Sequence, residues 1–251
     1  ATAAHNLDKA LSLSLPARVL ALAERQGIKE IVSPCAACYS RLSLTRHELL
    51  SDEKLRKKIS DIIEMNYRGS AEVLNAIQML DRYVVPHLEG KIKTPFDYKV
   101  ACYYGCLMVR PPKVLKFDRP EDPQSMDILM KKIGADPIDW AFKVECCGAG
   151  FSVSRTDLVA KLSGQVMEDA VSRGAEAIVV ACPMCHANLD MRRPEIEKQM
   201  GKKYSIPVIF ITQALGMAIG IDRKSLGLHR HLVPVKWGEK KNLQTTAGVT
   251  A

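Results

Sequence analysis

The chain has 251 residues, 47% of them hydrophobic, a formal net charge of +8 and eight cysteines. That is enough apolar material for one large domain or two smaller ones, and no run of about 18 apolar residues or secretory leader is visible to indicate a membrane span or export. The positive charge is dispersed: "KLRKK" (54–58) sits in a mixed-charge helical context and reads as a solvated face, and aromatics at 6% form no stacking pattern for nucleic acid.

The first predicted element is a helix over 7–25, followed by a short apolar strand, "EIVSP" (30–34), and by Cys35 and Cys38 at the start of a further helix. Residues 46–83 read as largely helical, with Leu49, Leu55, Ile59, Ile62, Val73, Ile77 and Leu80 at helix-like spacings assigned to core packing. The turn-rich "HLEGKIKTPFDY" leads into the strand "KVACYYGC", which delivers Cys106. "VRPPKVLKFDRPEDPQ" is proline-rich and predicts an exposed loop, "SMDILMKKIGA" a helix and "PIDW" its exit. The stretch "VECCGAGFSVS" (144–154) precedes a helix over 156–173, a strand "AIVVA" (177–181) and Cys182 and Cys185, again at a helix start. A strand over 206–211 and a helix over 212–219 follow. From Asp222 the chain is basic and turn-rich, and "QTTAGVTA" at its end has the composition of a disordered segment.

Two of these segments are copies of one another. "LAERQGIKEIVSPCAACYSRL" (22–42) superposes on "AVSRGAEAIVVACPMCHANLD" (170–190), with Gly27 on Gly174, Ile31 on Ile178, Cys35 on Cys182, Cys38 on Cys185 and Leu42 on Leu189. Each reads as helix, strand, then CxxC opening a helix. The fold predicted is α/β, with two pseudo-symmetric Rossmann-like βα halves, short parallel sheets and the cysteines at strand ends. There the crevice beyond the strands takes ligands, and a helix N-terminus favours thiolate. The expected division is 1–90, the remainder of a first half with connecting helices; 91–221, a second half; and 222–251, a basic tail.

Clustered thiols in a chain of this length point to metal or redox chemistry rather than to a disulfide framework, which small secreted domains need. From Cys106 onward the spacing is C-x39-CC-x34-C-x2-C. Four thiols suffice for a zinc ion or a cubane cluster, so five with an adjacent pair ask for a centre of more than one metal atom; a zinc site using four of them, with the fifth free, is the bland alternative. Cys106, Cys146, Cys147, Gly148, Cys182 and Cys185 resemble the cysteine-rich CCG domain. "YYGCLMVRPP", "ECCGAGFS" and "ACPMCHANLD" are similar to the heterodisulfide reductase B-subunit family, over nearly the whole chain.

The resemblance implies noncubane [4Fe–4S] clusters, two in the full family pattern, with Cys106, Cys146, Cys147, Cys182 and Cys185 as ligands of the second. Cys35 and Cys38 match the end of the first motif, whose earlier cysteines lie upstream of Ala1 in the superposition, so that only one ligand set is complete here. It further implies a cytoplasmic subunit that reductively cleaves a small-molecule disulfide of the coenzyme M–coenzyme B type, at catalytic cysteines Cys35, Cys38, Cys106, Cys146, Cys147, Cys182 and Cys185. Its partners would be a ferredoxin-like C-type subunit and a flavin-containing A-type subunit. The rival reading is an electron relay of the kind found in glycolate, lactate and glycerol-3-phosphate dehydrogenase complexes. Gly148 and Gly150 would let backbone approach the cluster.

Outside this pattern, Cys102 is expected to face the same way as Cys106 if the strand continues, and to serve as a small buried hydrophobe. His186 could donate to a cluster sulfur or protonate a leaving thiolate, or cap a helix. His229 and His231 read as solvated, and Arg110 as either a guide for an anionic substrate or a structural ion pair.

Overall fold

The computed structural model describes residues 2–235. The chain runs α1 (Lys9–Arg25), β1 (Glu30–Ser33), α2 (Ala36–Ser51), α3 (Glu53–Ile63), β2 (Glu72–Asn75), α4 (Ala76–Tyr83), β3 (Lys99–Tyr103), α5 (Ser125–Lys132), β4 (Asp136–Pro137), α6 (Thr156–Ser172), β5 (Ala177–Val180), α7 (Pro183–His186), α8 (Arg193–Met200), β6 (Val208–Phe210) and α9 (Ile211–Ala218). A π-helical turn, Ala187–Met191, joins α7 to α8. The architecture is α/β with two short parallel sheets: β1 pairs β2, and the larger sheet has the order β4-β3-β5-β6.

The duplication is carried into the backbone. Gly27 and Gly174 differ by 147, and the same offset takes α1 onto α6, β1 onto β5 and the first residue of α2 onto the first of α7. The local causes are legible. Asp8 accepts the Leu11 N–H at 2.7 Å and opens α1, whose Leu13, Ala17, Leu20 and Ala21 turn one apolar face inward. β5 is buried along its whole length because β3 and β6 flank it and helices cover it, the condition under which a strand reads as an unbroken apolar run.

One element in the first half was not expected. Residues 46–83 are largely helical, as α2, α3 and α4, but Glu72–Asn75 form β2 in register with Glu30–Ser33. Val73 and Leu74 fit the helical period of the segments on either side, which hid so short a strand. The signal that marks the break is the capping box of α4, in which Asn75 accepts from Gln78 N–H at 2.9 Å while the Gln78 side chain accepts from Asn75 N–H at 3.0 Å. The start of "PIDW" likewise contributes to an edge pairing, since Asp136 and Pro137, the first residue of that stretch, line up with Lys99 and Val100.

Past Asp222 the chain packs back on the second half, with Leu228 and Val235 buried. The expectation of disorder at 244–251 lies outside the described residues.

Candidate metal centre

Parallel pairing decides where the sulfurs go. Cys102 faces Val179 and Tyr103 faces Val180 in the β3–β5 register, so both strands leave the sheet at the same edge, one toward Cys106 and the other toward Cys182. β3 does not continue to Cys106. Gly105 takes φ +71° and turns the chain, which breaks the strand alternation that would have put Cys102 and Cys106 on one side. Cys102 is wholly buried in the core.

The third cysteine-bearing segment is stitched to this turn. Trp140 Nε1 donates to the Cys102 carbonyl at 3.2 Å, the Lys143 carbonyl accepts the Tyr104 and Gly105 N–H groups at 2.9 and 3.1 Å, and Tyr103 Oη donates to the Glu145 carbonyl at 2.6 Å. Beneath it the buried Lys143 ammonium lies 3.0 Å from Asp122 and 3.2 Å from Asp127, and Tyr104 Oη donates to Asp127 at 2.7 Å. A buried ammonium is tolerated only when so paired.

The outcome is a contiguous group of thiols. Cys106 lies beside Cys146; the Cys147 and Cys185 sulfurs are 3.7 Å apart; and Cys182 lies beside both Cys185 and Cys35. Gly105 closes the gap between these contacts, since a Cβ there would come within 2.9 Å of Cys185 Sγ. The protons are shared unevenly. The Cys106 thiol holds Cys146 down to about 6, helped by the Gly148 and Ala149 N–H groups, while Cys106 itself is pushed up. Hydrogen bonds from Cys185 and then Cys35 hold Cys182 down to about 2, and the Ala36 N–H at the start of α2 also points at its sulfur, 3.4 Å away. Cys185 has one proton, so it serves Cys147 or Cys182 at any moment; its own thiol lies far above the usual range, and Cys147 lies below it.

Soft, close-set sulfurs, with Cys147, Cys182 and Cys185 removed from water, fit an iron–sulfur group by donor chemistry. Loading it would release the protons that the thiols now share.

The sequence-predicted residues therefore do not all meet in the way expected. Cys106, Cys146, Cys147, Cys182 and Cys185 come together. Cys35, assigned to a separate first centre, reaches the same group through Cys182, whereas Cys38 is exposed on the next turn of α2. Gly148, at φ +80°, makes room for Val159 on α6, 3.0 Å from where its Cβ would stand, and nothing lies within 4 Å of where a Gly150 Cβ would stand. Gly105, which sequence reasoning did not single out, is the glycine that lies against a sulfur. Asn188 was also missed; it is buried and its amide reaches Cys147.

His186 turns away from the sulfurs. Its Nε2 lies 3.2 Å from the Val208 carbonyl and 3.2 Å from His231 Nδ1, and its ring stacks on Phe210. His231 is accordingly not solvated, while His229 is exposed. Donor atoms of His186, Asp190 and His231 lie within 4.8 Å of one another. Gln213, however, donates from Nε2 to His231 Nε2 at 2.9 Å, and its amide orientation is fixed because its oxygen takes the Phe210 N–H. His231 then carries its proton on Nδ1, toward His186, and keeps no lone pair for a cation there. With Asp190 accepting the Leu232 and Val233 N–H groups, the cluster is a strap that ties the 231–233 segment to the cysteine-bearing helix. Arg110 pairs with Glu121 at 2.7 Å.

Residues 100–190 match the family model described as a cysteine-rich domain, CCG. The chain is 34% identical over 234 residues to the B subunit of the ferredoxin/F420H2-dependent CoB–CoM heterodisulfide reductase of Methanosarcina acetivorans, covering 91% of this chain and 78% of that protein. It is 30% identical over 237 residues to the 8-methylmenaquinol:fumarate reductase membrane anchor subunit of Wolinella succinogenes, covering 93% and 82%. Among solved structures it is similar to a hypothetical protein from Helicobacter pylori, with TM-score 0.67 and 14% identity over 92% of this chain and 43% of that one, a likeness of fold alone in which this chain spans less than half of the other. Among the described residues no helix is long and apolar enough to cross a membrane. The chain belongs to the heterodisulfide reductase B-subunit family, and with it to the iron–sulfur, electron-transferring subunits of multi-subunit oxidoreductases.

Proposed function

We propose that this chain is the subunit of a heterodisulfide-reductase-type complex at which a small-molecule disulfide is reductively split, taking up two electrons and two protons and releasing two thiols. Cys106, Cys146, Cys147, Cys182 and Cys185 would hold a noncubane [4Fe–4S] cluster, and Cys35 and Cys38 would belong to a second. Bound there, the cluster would supply electrons one at a time and a place for a substrate sulfur. The chain's own part is to gather the sulfurs, aim N–H groups at two of them and keep three dry: the Ala36 N–H faces Cys182, the Gly148 N–H faces Cys146 at 3.3 Å, and Cys147, Cys182 and Cys185 are buried. Electrons would arrive from a ferredoxin-like C-type subunit and ultimately a flavin-containing A-type subunit, in the cytoplasm, where thiols stay reduced.

The observation that carries this reading is the meeting of five sulfurs from three distant segments beside a sixth, Cys35, from the other half. A second reading, a relay that passes electrons without splitting a disulfide, is favoured by one finding, the similarity to a subunit of a fumarate reductase. Anaerobic addition of candidate disulfides to the reduced, iron-loaded chain separates the two. Thiol release in step with reoxidation of the centre is expected; reoxidation by other acceptors with no thiol released from any disulfide would leave the relay.

A further inference from the structure

The π-helical turn Ala187–Met191 interrupts the helical register just after Cys185 and turns Asn188 inward, beneath Cys147. Its amide nitrogen donates to the Cys147 carbonyl at 3.1 Å and faces the Cys147 sulfur at 3.5 Å. Both of those atoms are acceptors, so the two hydrogens of the amide must be the ones that face them, and the flipped orientation is ruled out. The amide oxygen is 3.0 Å from Ser152 Oγ, and Ser163 Oγ donates to the same Cys147 carbonyl at 3.1 Å. Asn188 thus spends its second hydrogen on the sulfur alone, in a site that water does not reach.

We infer that Asn188 is a positioning residue for the iron–sulfur centre, which fixes the Cys147 sulfur and draws charge from it through an N–H···S hydrogen bond, and so raises the reduction potential of that centre. This rests on the assignment of Cys147 as a ligand. The physical reason is that a reduced cluster carries one more negative charge, which spreads onto its sulfurs, and a donor aimed at a ligand sulfur stabilises the reduced form more than the oxidised one. A merely structural amide would hold the loop and leave the potential where it was.

The experiment is a redox titration of the iron-loaded chain, followed by electron paramagnetic resonance, with iron counted in every sample. Asn188→Ala is expected to keep its iron and titrate at a more negative potential than the wild type; Asn188→Ser, which retains a buried donor too short to reach the sulfur, should shift in the same direction. Ser152→Ala, which leaves the amide in place, should shift less than either. Iron retained in the Asn188 variants with an unchanged or more positive potential overturns the inference. If Asn188→Ala takes up no iron, Asn188→Ser decides the matter by the same criterion, and if that variant is also iron-free the role is structural and the inference falls. A Cys147→Ala chain that keeps its full iron content would instead defeat the ligand assignment itself.

Discussion

The two halves repeat one helix–strand–helix unit and make different things of it. Among the described residues β5 lies between β3 and β6, whereas β1 pairs with β2 alone. Val179 is accordingly 0% exposed and its counterpart Val32 41%; Val166 on α6 is 0% exposed and its counterpart Val19 on α1 48%. The same contrast holds for the thiols: Cys185 is buried against Cys147 and Gly105, while Cys38 is exposed. The strand-to-helix turn places a CxxC pair at the sheet edge in both halves, and in the second half β3 and the 140–147 loop bring Cys106, Cys146 and Cys147 to that edge.

The largest effect that would test this contrast is on iron. Cys147→Ala and Cys185→Ala should each abolish iron uptake, while Cys38→Ser should leave most of it, as counted in anaerobically loaded protein; equal losses in all three would erase the distinction between the halves. Gly105→Ala comes next. A methyl 2.9 Å from Cys185 Sγ on a backbone at φ +71° is expected to cost about 2–3 kcal/mol in denaturant unfolding and to lower the iron content with it. Val179→Ala should destabilise by about 2 kcal/mol and Val32→Ala by less than about 0.5 kcal/mol, since only the former leaves a cavity in a packed core. The smallest change in the centre is expected for His231→Ala, about 1 kcal/mol of stability with iron content unaltered, because the strap it belongs to touches the cysteine-bearing helix and not the sulfurs.

How far the sequence could be read follows from the range of the interactions. α1, α6, β5 and both CxxC turns were legible because local periodicity, an Asp cap and internal repetition specify them. The convergence of Cys106, Cys146 and Cys147 on Cys182 and Cys185 was legible only through the family pattern, since the β3–β5 register that brings the segments together is a long-range pairing with no local mark. β2 escaped because, unlike the equally short β1 and β5, it opens no CxxC turn and has no internal copy to mark it. The roles of Gly105 and Asn188 escaped because each depends on what lies across the site: Gly105 answers to the sulfur of Cys185 and Asn188 to that of Cys147, both far beyond the reach of any local pattern. His231 was misplaced for the same reason, its partners being Gln213 and His186.

The most direct test of the central claim is the metal and acid-labile sulfide content of the anaerobically purified chain, with Mössbauer spectroscopy of the iron. The account predicts iron and sulfide in equal amounts, about four of each for one complete cluster, with a spectrum that no cubane reproduces. A colourless protein holding a single zinc on four of these thiols, with no sulfide, would contradict it.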